Sequence, residues 1–172
     1  MRRTLSLLLA AALMGTLAAC SRGADITYMS LVDMGNAIAE SQPDGFTDGL
    51  LPLTAGEEEL AAYLSASYGL EEGSWTDGVL AHSNGASSDE LAVLLMADIE
   101  SADQAETALT DYIARRTGDF FGYAPAQADQ LGEALVLRRG LYVALLVCPD
   151  PHAAQEAFEG CFGQDAPVID VF

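Results

Sequence analysis

The sequence has 172 residues, of which 51% are hydrophobic, and its seven basic side chains, all arginines, face 26 acidic ones, a formal net charge of −19 at pH 7. This length and apolar fraction suit one domain with a buried core. The negative electrostatic field of such a protein repels phosphate backbones and excludes nucleic acid as a partner. The lack of lysine excludes a P-loop and Schiff-base chemistry.

The first 20 residues have the order of a bacterial lipoprotein signal. Arg2 and Arg3 precede an apolar run that ends in Leu17-Ala18-Ala19-Cys20. The run is shorter than the roughly 20 residues that a membrane-spanning helix needs. Its last four residues resemble the lipobox, in which the cysteine is acylated and becomes the new N-terminus. We therefore predict a lipoprotein signal peptide over residues 1–19, with an ordinary signal peptide and a chance cysteine as the alternative.

Lipidation of Cys20 would anchor the protein at the extracytoplasmic face of the bacterial cell membrane. Removing residues 1–19 leaves five arginines against 26 acidic side chains, so the mature net charge is −21. We predict the lipidated cysteine and a short tether over residues 20–25, followed by a single acidic α+β domain over residues 26–172. Five extended residues reach only about 17 Å, which keeps the domain close to the membrane. Because anionic lipid repels such a domain, the acyl chains must supply the attachment.

The first half of the domain predicts two helices separated by a loop. Apolar residues recur at helical spacing up to Pro43, where the first helix should already have ended. Turn-forming residues fill positions 42–49. Thr54 lies three residues before Glu57, which is the spacing of a capping box, so we expect a second helix over about residues 55–68.

The middle of the chain predicts a hairpin followed by the longest helix. Apolar runs at 78–82 and 90–97 flank the turn-forming Ser83-Asn84-Gly85. Ser101 and Gln104 have capping-box spacing, so the long helix should open there. We expect this helix to be the main one packed on the sheet.

The last third predicts a second hairpin and a final helix, which complete the order α-α-β-β-α-β-β-α. The runs 135–138 and 141–148 flank Arg139-Gly140, and Asp150-Pro151 suits a helix start. The strands at 91–96 and 141–148 are apolar without alternation, which favours central positions. We predict an α+β fold, a two-layer sandwich with helices packed on a four-stranded antiparallel sheet of order 1-2-4-3.

Four short pieces of sequence occur in a characteristic order: Asp89-Glu90-Leu91-Ala92-Val93, Arg115-Arg116, Tyr123-Ala124-Pro125 and Arg139-Gly140-Leu141-Tyr142-Val143-Ala144. With these pieces, the stretch from about residue 87 to residue 162 resembles the bacterial lipoproteins catalogued as domain of unknown function 4358. The resemblance implies an exported lipoprotein and its fold. It implies no activity, and it offers no catalytic residue to carry over.

No spacing in the sequence indicates a catalytic, cofactor-binding or metal constellation. His82 and His152 are the two histidines, and neither lies in a spacing such as His-Glu-x-x-His. Cys148 and Cys161 match no zinc pattern, and we expect two free thiols because an intervening helix holds them beyond disulfide reach. We therefore predict no catalytic residue, no cofactor and no metal.

The scarce arginines indicate where recognition could occur. Arg115 has Asp111 and Asp119 four residues away on either side, so helix-surface ion pairs explain it without a ligand. The two arginines at the second hairpin could meet an acidic partner or protect a sheet edge. The candidate recognition surface consists of Arg115, Tyr123, Arg138 and Arg139.

Two functions stay open on these observations. The first is a non-enzymatic binding or accessory module of the cell envelope, bound to the membrane through its lipid anchor and meeting an envelope protein partner. The second is a small envelope hydrolase or transferase that uses carboxylates with His82. The absence of a catalytic motif favours the first.

Overall fold

The computed structural model of the chain describes residues 29–85 and 87–163. The predicted signal peptide, the lipidated Cys20 and the tether lie outside the described residues. The elements are α1 Leu31–Glu40, β1 Leu50–Thr54, α2 Glu58–Tyr63 continued by a π-helical turn Leu64–Tyr68, β2 Trp75–Ser83, β3 Glu90–Met96, α3 Ile99–Phe120, α4 Pro125–Gly132, β4 Leu135–Arg139, β5 Tyr142–Val147 and α5 Pro151–Gly160. No helix within these two stretches has both the length and the apolar character to span a membrane.

The five strands form one antiparallel sheet in the order β1-β2-β3-β5-β4. The antiparallel pairing is confirmed, and the four predicted strands have their predicted neighbours. The prediction of four strands is wrong, because β1 adds a fifth at the edge beside β2. Pro52 lies within β1, and proline is tolerated in a sheet at an edge position. This short strand escaped prediction because five residues interrupted by proline resemble a loop.

Helices cover both faces of the sheet, so the prediction of two layers is wrong. Alternate side chains of β3 and β5 point to opposite faces, and both sets are buried. One set packs with α2, the π-helical turn, α3 and α4, and we call this the α3 face. The other set packs with α1 and α5. The apolar runs without alternation that placed these strands centrally also require cover on both faces.

Two ends of the sheet matter for the site. The Glu90 end is where β3 begins and β5 ends, because Glu90 pairs with Val147. The Met96 end is the opposite one, about 20 Å away along a strand of this length. The α3 helix starts after Met96 and therefore runs back toward the Glu90 end.

The α1 helix also ends at the Glu90 end. Just past its last residue, the Gln42 side chain donates to the Asp150 carbonyl at 2.9 Å and accepts from the Asp150 amide at 2.9 Å. Asp150 follows β5 at the Glu90 end.

The helix starts differ from the predicted ones by a few residues. The α3 helix begins at Ile99, and its cap is Asp98, whose carboxylate accepts from the Ser101 amide at 2.7 Å. The predicted capping box does not cap α2: Glu57 itself is the cap and makes no side-chain capping bond, and its carboxylate accepts from the amide of Thr54, the last residue of β1, at 2.5 Å. The predicted free thiols are confirmed, with Cys148 buried and Cys161 half-buried.

Candidate functional site

A fully buried carboxylate lies at the start of β3. Glu90 is 0% exposed, and strand alternation points its side chain to the α3 face together with Ala92 and Leu94. Burying a carboxylate costs several kcal/mol unless it is paired and hydrogen-bonded. The position therefore demands donors from the helices that cover this face.

Four donors surround the carboxylate. Glu90 Oε1 accepts from the Tyr68 hydroxyl at 2.5 Å and the Tyr63 hydroxyl at 2.9 Å. Glu90 Oε2 accepts from the Tyr112 hydroxyl at 2.6 Å and from Arg116 Nη1 at 2.6 Å. We call these five residues the Glu90 cluster. One cation and three hydroxyls together satisfy both oxygens of the buried charge.

The local helix geometry explains how these donors meet. In an α-helix, residues five apart lie about 140° from each other around the axis. Tyr63 and Tyr68 nevertheless reach the same oxygen, because the π-helical turn closes its hydrogen bonds over five residues and returns the second ring to the first one's face. Tyr112 and Arg116 are four apart on α3 and share a face in the ordinary way.

Burial and the neighbouring charge keep the tyrosines protonated. Burial, followed by the charge of Glu90, raises the pKa of Tyr63 to about 12. The same two causes raise the pKa values of Tyr68 and Tyr112 well above their usual range. Burial works to lower the pKa of Arg116, but Tyr112 and Glu90 outweigh it and raise that pKa. The three tyrosines therefore remain hydrogen-bond donors at neutral pH, and together with Arg116 they form a clamp around the Glu90 carboxylate.

Arg116 links this clamp to the surface. Its Nη2 donates to the Ser87 carbonyl at 3.3 Å, and its guanidinium lies over the Phe120 ring at 5.4 Å from the centroid. The Phe120 ring contacts the Tyr123 ring at 5.5 Å between centroids. Phe121 and Tyr123 are 78% and 71% exposed on the connection between α3 and α4, and we call this pair the aromatic turn.

The α4 helix fixes the other side of the aromatic turn. Gln127 accepts from the Ser88 amide at 2.5 Å, and Gln130 donates to the Asp89 carboxylate at 2.7 Å. These bonds join α4 to the connection between β2 and β3. The two exposed rings thus protrude from a segment whose neighbours on both sides are hydrogen-bonded to the sheet.

Arg115 does not make the predicted ion pairs. Among the described residues it forms no salt bridge with Asp111 or Asp119, and its Nη2 donates to the Ser67 carbonyl at 2.5 Å. The last carbonyls of a helical segment lack intrahelical donors, which makes Ser67 an available acceptor at the end of the π-helical turn.

The structure does not bring the four predicted recognition residues together. Arg138 forms ion pairs with Glu106, at 2.8 Å, and with Asp103. Arg138 and Arg139 end β4 at the Met96 end, since Arg139 pairs with Tyr142. Tyr123 instead lies at the Glu90 end, where α3 terminates.

His82 lies beside the Glu90 cluster without joining a carboxylate. It pairs with Glu90 across β2 and β3, and its ring contacts the Tyr63 ring at 4.4 Å between centroids. Its Nδ1 is 2.9 Å from the Ser83 carbonyl oxygen. No hydrogen bond joins it to Asp or Glu within the described part of the chain. In the same part, no three His, Cys, Asp or Glu side chains are grouped so that they could hold a metal ion.

Comparison with known families gives one match. A family model described as Domain of unknown function (DUF4358) matches residues 53–148, which is more than half of the chain. The chain belongs to this family. The DUF4358 match includes the whole Glu90 cluster and the aromatic turn, whereas α1 and α5 lie outside it. No curated protein and no solved structure matches the chain.

Sequence reasoning missed the Glu90 cluster although one signal was present. An acidic residue opens an otherwise apolar strand at Glu90, where a buried position demands partners. The three tyrosines gave no comparable signal, because helical periodicity does not indicate which hydroxyls of separate elements converge.

Proposed function

We propose that this protein is an exported lipoprotein, anchored through a lipid on Cys20 at the extracytoplasmic face of the bacterial cell membrane. Its domain is a non-enzymatic binding or accessory module that meets an envelope protein through the aromatic turn. The apolar run and the lipobox-like Leu17-Ala18-Ala19-Cys20 support the anchor. The observation that carries the binding role is the exposure of two aromatic rings, Phe121 and Tyr123, on one supported turn.

Exposed aromatic side chains favour protein recognition. Aromatic residues are enriched at protein interfaces, where they supply a large contact area with few rotatable bonds. The rings of the aromatic turn project from a segment held by Arg116 on one side and Gln127 on the other. A partner would therefore bind a surface that is already ordered, which reduces the entropy cost of association.

The arrangement of the acidic and histidine side chains favours binding over catalysis. Both oxygens of Glu90 are taken by four donors, and His82 contacts a backbone carbonyl and an aromatic ring. A hydrolase or transferase that used carboxylates with His82 would need the two groups within hydrogen-bond reach of each other or of a shared substrate. No contact of the described residues favours that alternative.

Photo-crosslinking in living cells tests the binding role. The full-length protein carries benzoylphenylalanine at position 123. A matched control carries it at position 32, where Val32 is also an exposed apolar residue but lies on α1. We expect one discrete crosslinked protein from position 123 and none from position 32. The change Phe121→Ser should reduce the yield from position 123 by about tenfold or more, because interface aromatics contribute about 2 kcal/mol or more. Equal crosslinking from both positions, or none from position 123, would contradict the proposal.

A further inference from the structure

We propose that Arg116 is a positioning residue for the aromatic turn and that Glu90 holds Arg116 in place for this purpose. The inference rests on the proposed binding role of the turn. The buried ion pair between Glu90 and Arg116 lies outside the aromatic turn and would act by holding the turn in place. The side chain of Arg116 is only 14% exposed, and that of Glu90 is not exposed at all.

A continuous set of contacts joins the buried carboxylate to the exposed rings. Glu90 binds Arg116 Nη1, the guanidinium of Arg116 lies over Phe120, and Phe120 contacts Tyr123. A guanidinium is planar, so one face can rest on a ring while its edge donates to oxygens. Arg116 uses both features, since its second terminal nitrogen donates to the Ser87 carbonyl.

The backbone bonds that define the turn are few. The Phe121 amide donates to the Thr117 carbonyl at 3.0 Å, and the amides of Tyr123 and Ala124 both donate to the Phe120 carbonyl, at 3.2 and 3.0 Å. All three bonds depend on where the end of α3 lies. The guanidinium of Arg116 lies over the ring of Phe120, whose carbonyl is the acceptor of two of them. Loss of this contact should open the turn while the sheet stays folded.

Hydrogen exchange measured by NMR tests the inference on the full domain. The Arg116→Lys variant keeps a positive charge for Glu90 but loses the planar group that spans Phe120 and Ser87. We expect the amides of Phe121, Tyr123 and Ala124 to exchange about tenfold faster, as local opening becomes easier. The amides of Ala153 and Ala154, which start α5, should keep their rates.

Arg115→Lys is the matched control for exchange. Arg115 is the neighbouring residue on α3 and donates to Ser67 in the π-helical turn, so the same chemical change there should leave the three turn amides at their wild-type rates. Unchanged turn amides in Arg116→Lys would overturn the inference. An equal acceleration of all amides, including those of α5, would also overturn it, because Arg116 would then act only on global stability.

Crosslinking from position 123 in the Arg116→Lys background separates this inference from the proposed function. Faster turn exchange with a lower crosslinking yield supports both. Faster turn exchange with an unchanged yield supports the positioning role and contradicts the binding role of the turn. Unchanged exchange overturns the positioning role whatever the yield, and the binding role then depends on the comparison of positions 123 and 32.

Discussion

The carboxylate of Glu90 lies where water cannot reach it, so its energetics depend on the protein groups around it. Its partners are one guanidinium and three hydroxyls, all within 2.9 Å. Removing one member of a buried charge pair leaves the other charge unsatisfied, which costs more than the pair itself contributes. The cluster is therefore sensitive to changes at the carboxylate.

We expect Glu90→Ala to lower the free energy of unfolding by about 3–5 kcal/mol, because Arg116 keeps its charge without a partner. Glu90→Gln also removes the charge opposite Arg116, but it retains one acceptor oxygen and should therefore cost less than Glu90→Ala. Urea denaturation at neutral pH measures both. The control is Glu106→Gln, which removes a partly exposed ion pair with Arg138 and should cost no more than about 1 kcal/mol. Equal losses in Glu90→Ala and Glu106→Gln would contradict the assignment of Glu90 as a buried paired charge.

The tyrosine hydroxyls predict how stability changes in alkali. Burial and Glu90 raise the pKa of Tyr63 to about 12 in the folded state from its ordinary value of 10.0. Between these values the folded protein binds more protons than the unfolded one, so stability is complete below pH 10 and falls as the pH rises toward 12. We expect Tyr63→Phe to weaken this fall, as measured by urea midpoints at pH 9 and pH 11. An identical fall in both proteins would mean that the Tyr63 hydroxyl is not held by the cluster.

At single positions, the sequence showed which residue types could take part in a site, but it did not show which of them contact one another. The histidines and arginines were recognisable as candidates, and Tyr123 is one of the two exposed rings of the aromatic turn. Convergence of Glu90 with Tyr63 and Tyr112 was not predictable, since it joins a strand to two separate helices. Such long-range meetings depend on packing, which no local spacing encodes.

At the scale of elements, periodicity and turn chemistry predicted most of the fold. The hairpins, the long helix and the pairing of the four predicted strands follow from apolar runs and turn residues. The π-helical turn Leu64–Tyr68 was hidden, because its sequence also suits an α-helix. Its winding brings the Tyr63 and Tyr68 hydroxyls to the same oxygen of Glu90, a long-range meeting that the local sequence does not encode.

A glutamine connects α1 and α5, the two helices on the face opposite the Glu90 cluster. Gln42 is buried after α1 and forms two hydrogen bonds with the backbone of Asp150 before α5. We expect Gln42→Ala to lower the free energy of unfolding by about 1–3 kcal/mol, because both part-buried hydrogen bonds to the backbone of Asp150 are lost. Gln155→Ala, an exposed change on α5, should alter it by no more than about 0.5 kcal/mol. Similar unfolding midpoints for the two variants would show that Gln42 does not secure these helices.

For the whole molecule, the number of layers is the largest difference between expectation and structure. The apolar strands without alternation require cover on both faces, but they do not indicate which helices cover each face. The structure places α1 and α5 on one face and the Glu90 cluster on the other.

Metabolic labelling with a clickable palmitate analogue tests the membrane-tethered module most directly, because it reads lipidation of Cys20 itself. The full-length protein should incorporate the label and stay in the membrane fraction after an alkaline wash. Cys20→Ala should carry no label, whereas Cys161→Ala, which changes a half-buried thiol in the domain, should be labelled like the wild type. Equal labelling of Cys20→Ala and the wild type, or no label on the wild type, would contradict the lipid anchor.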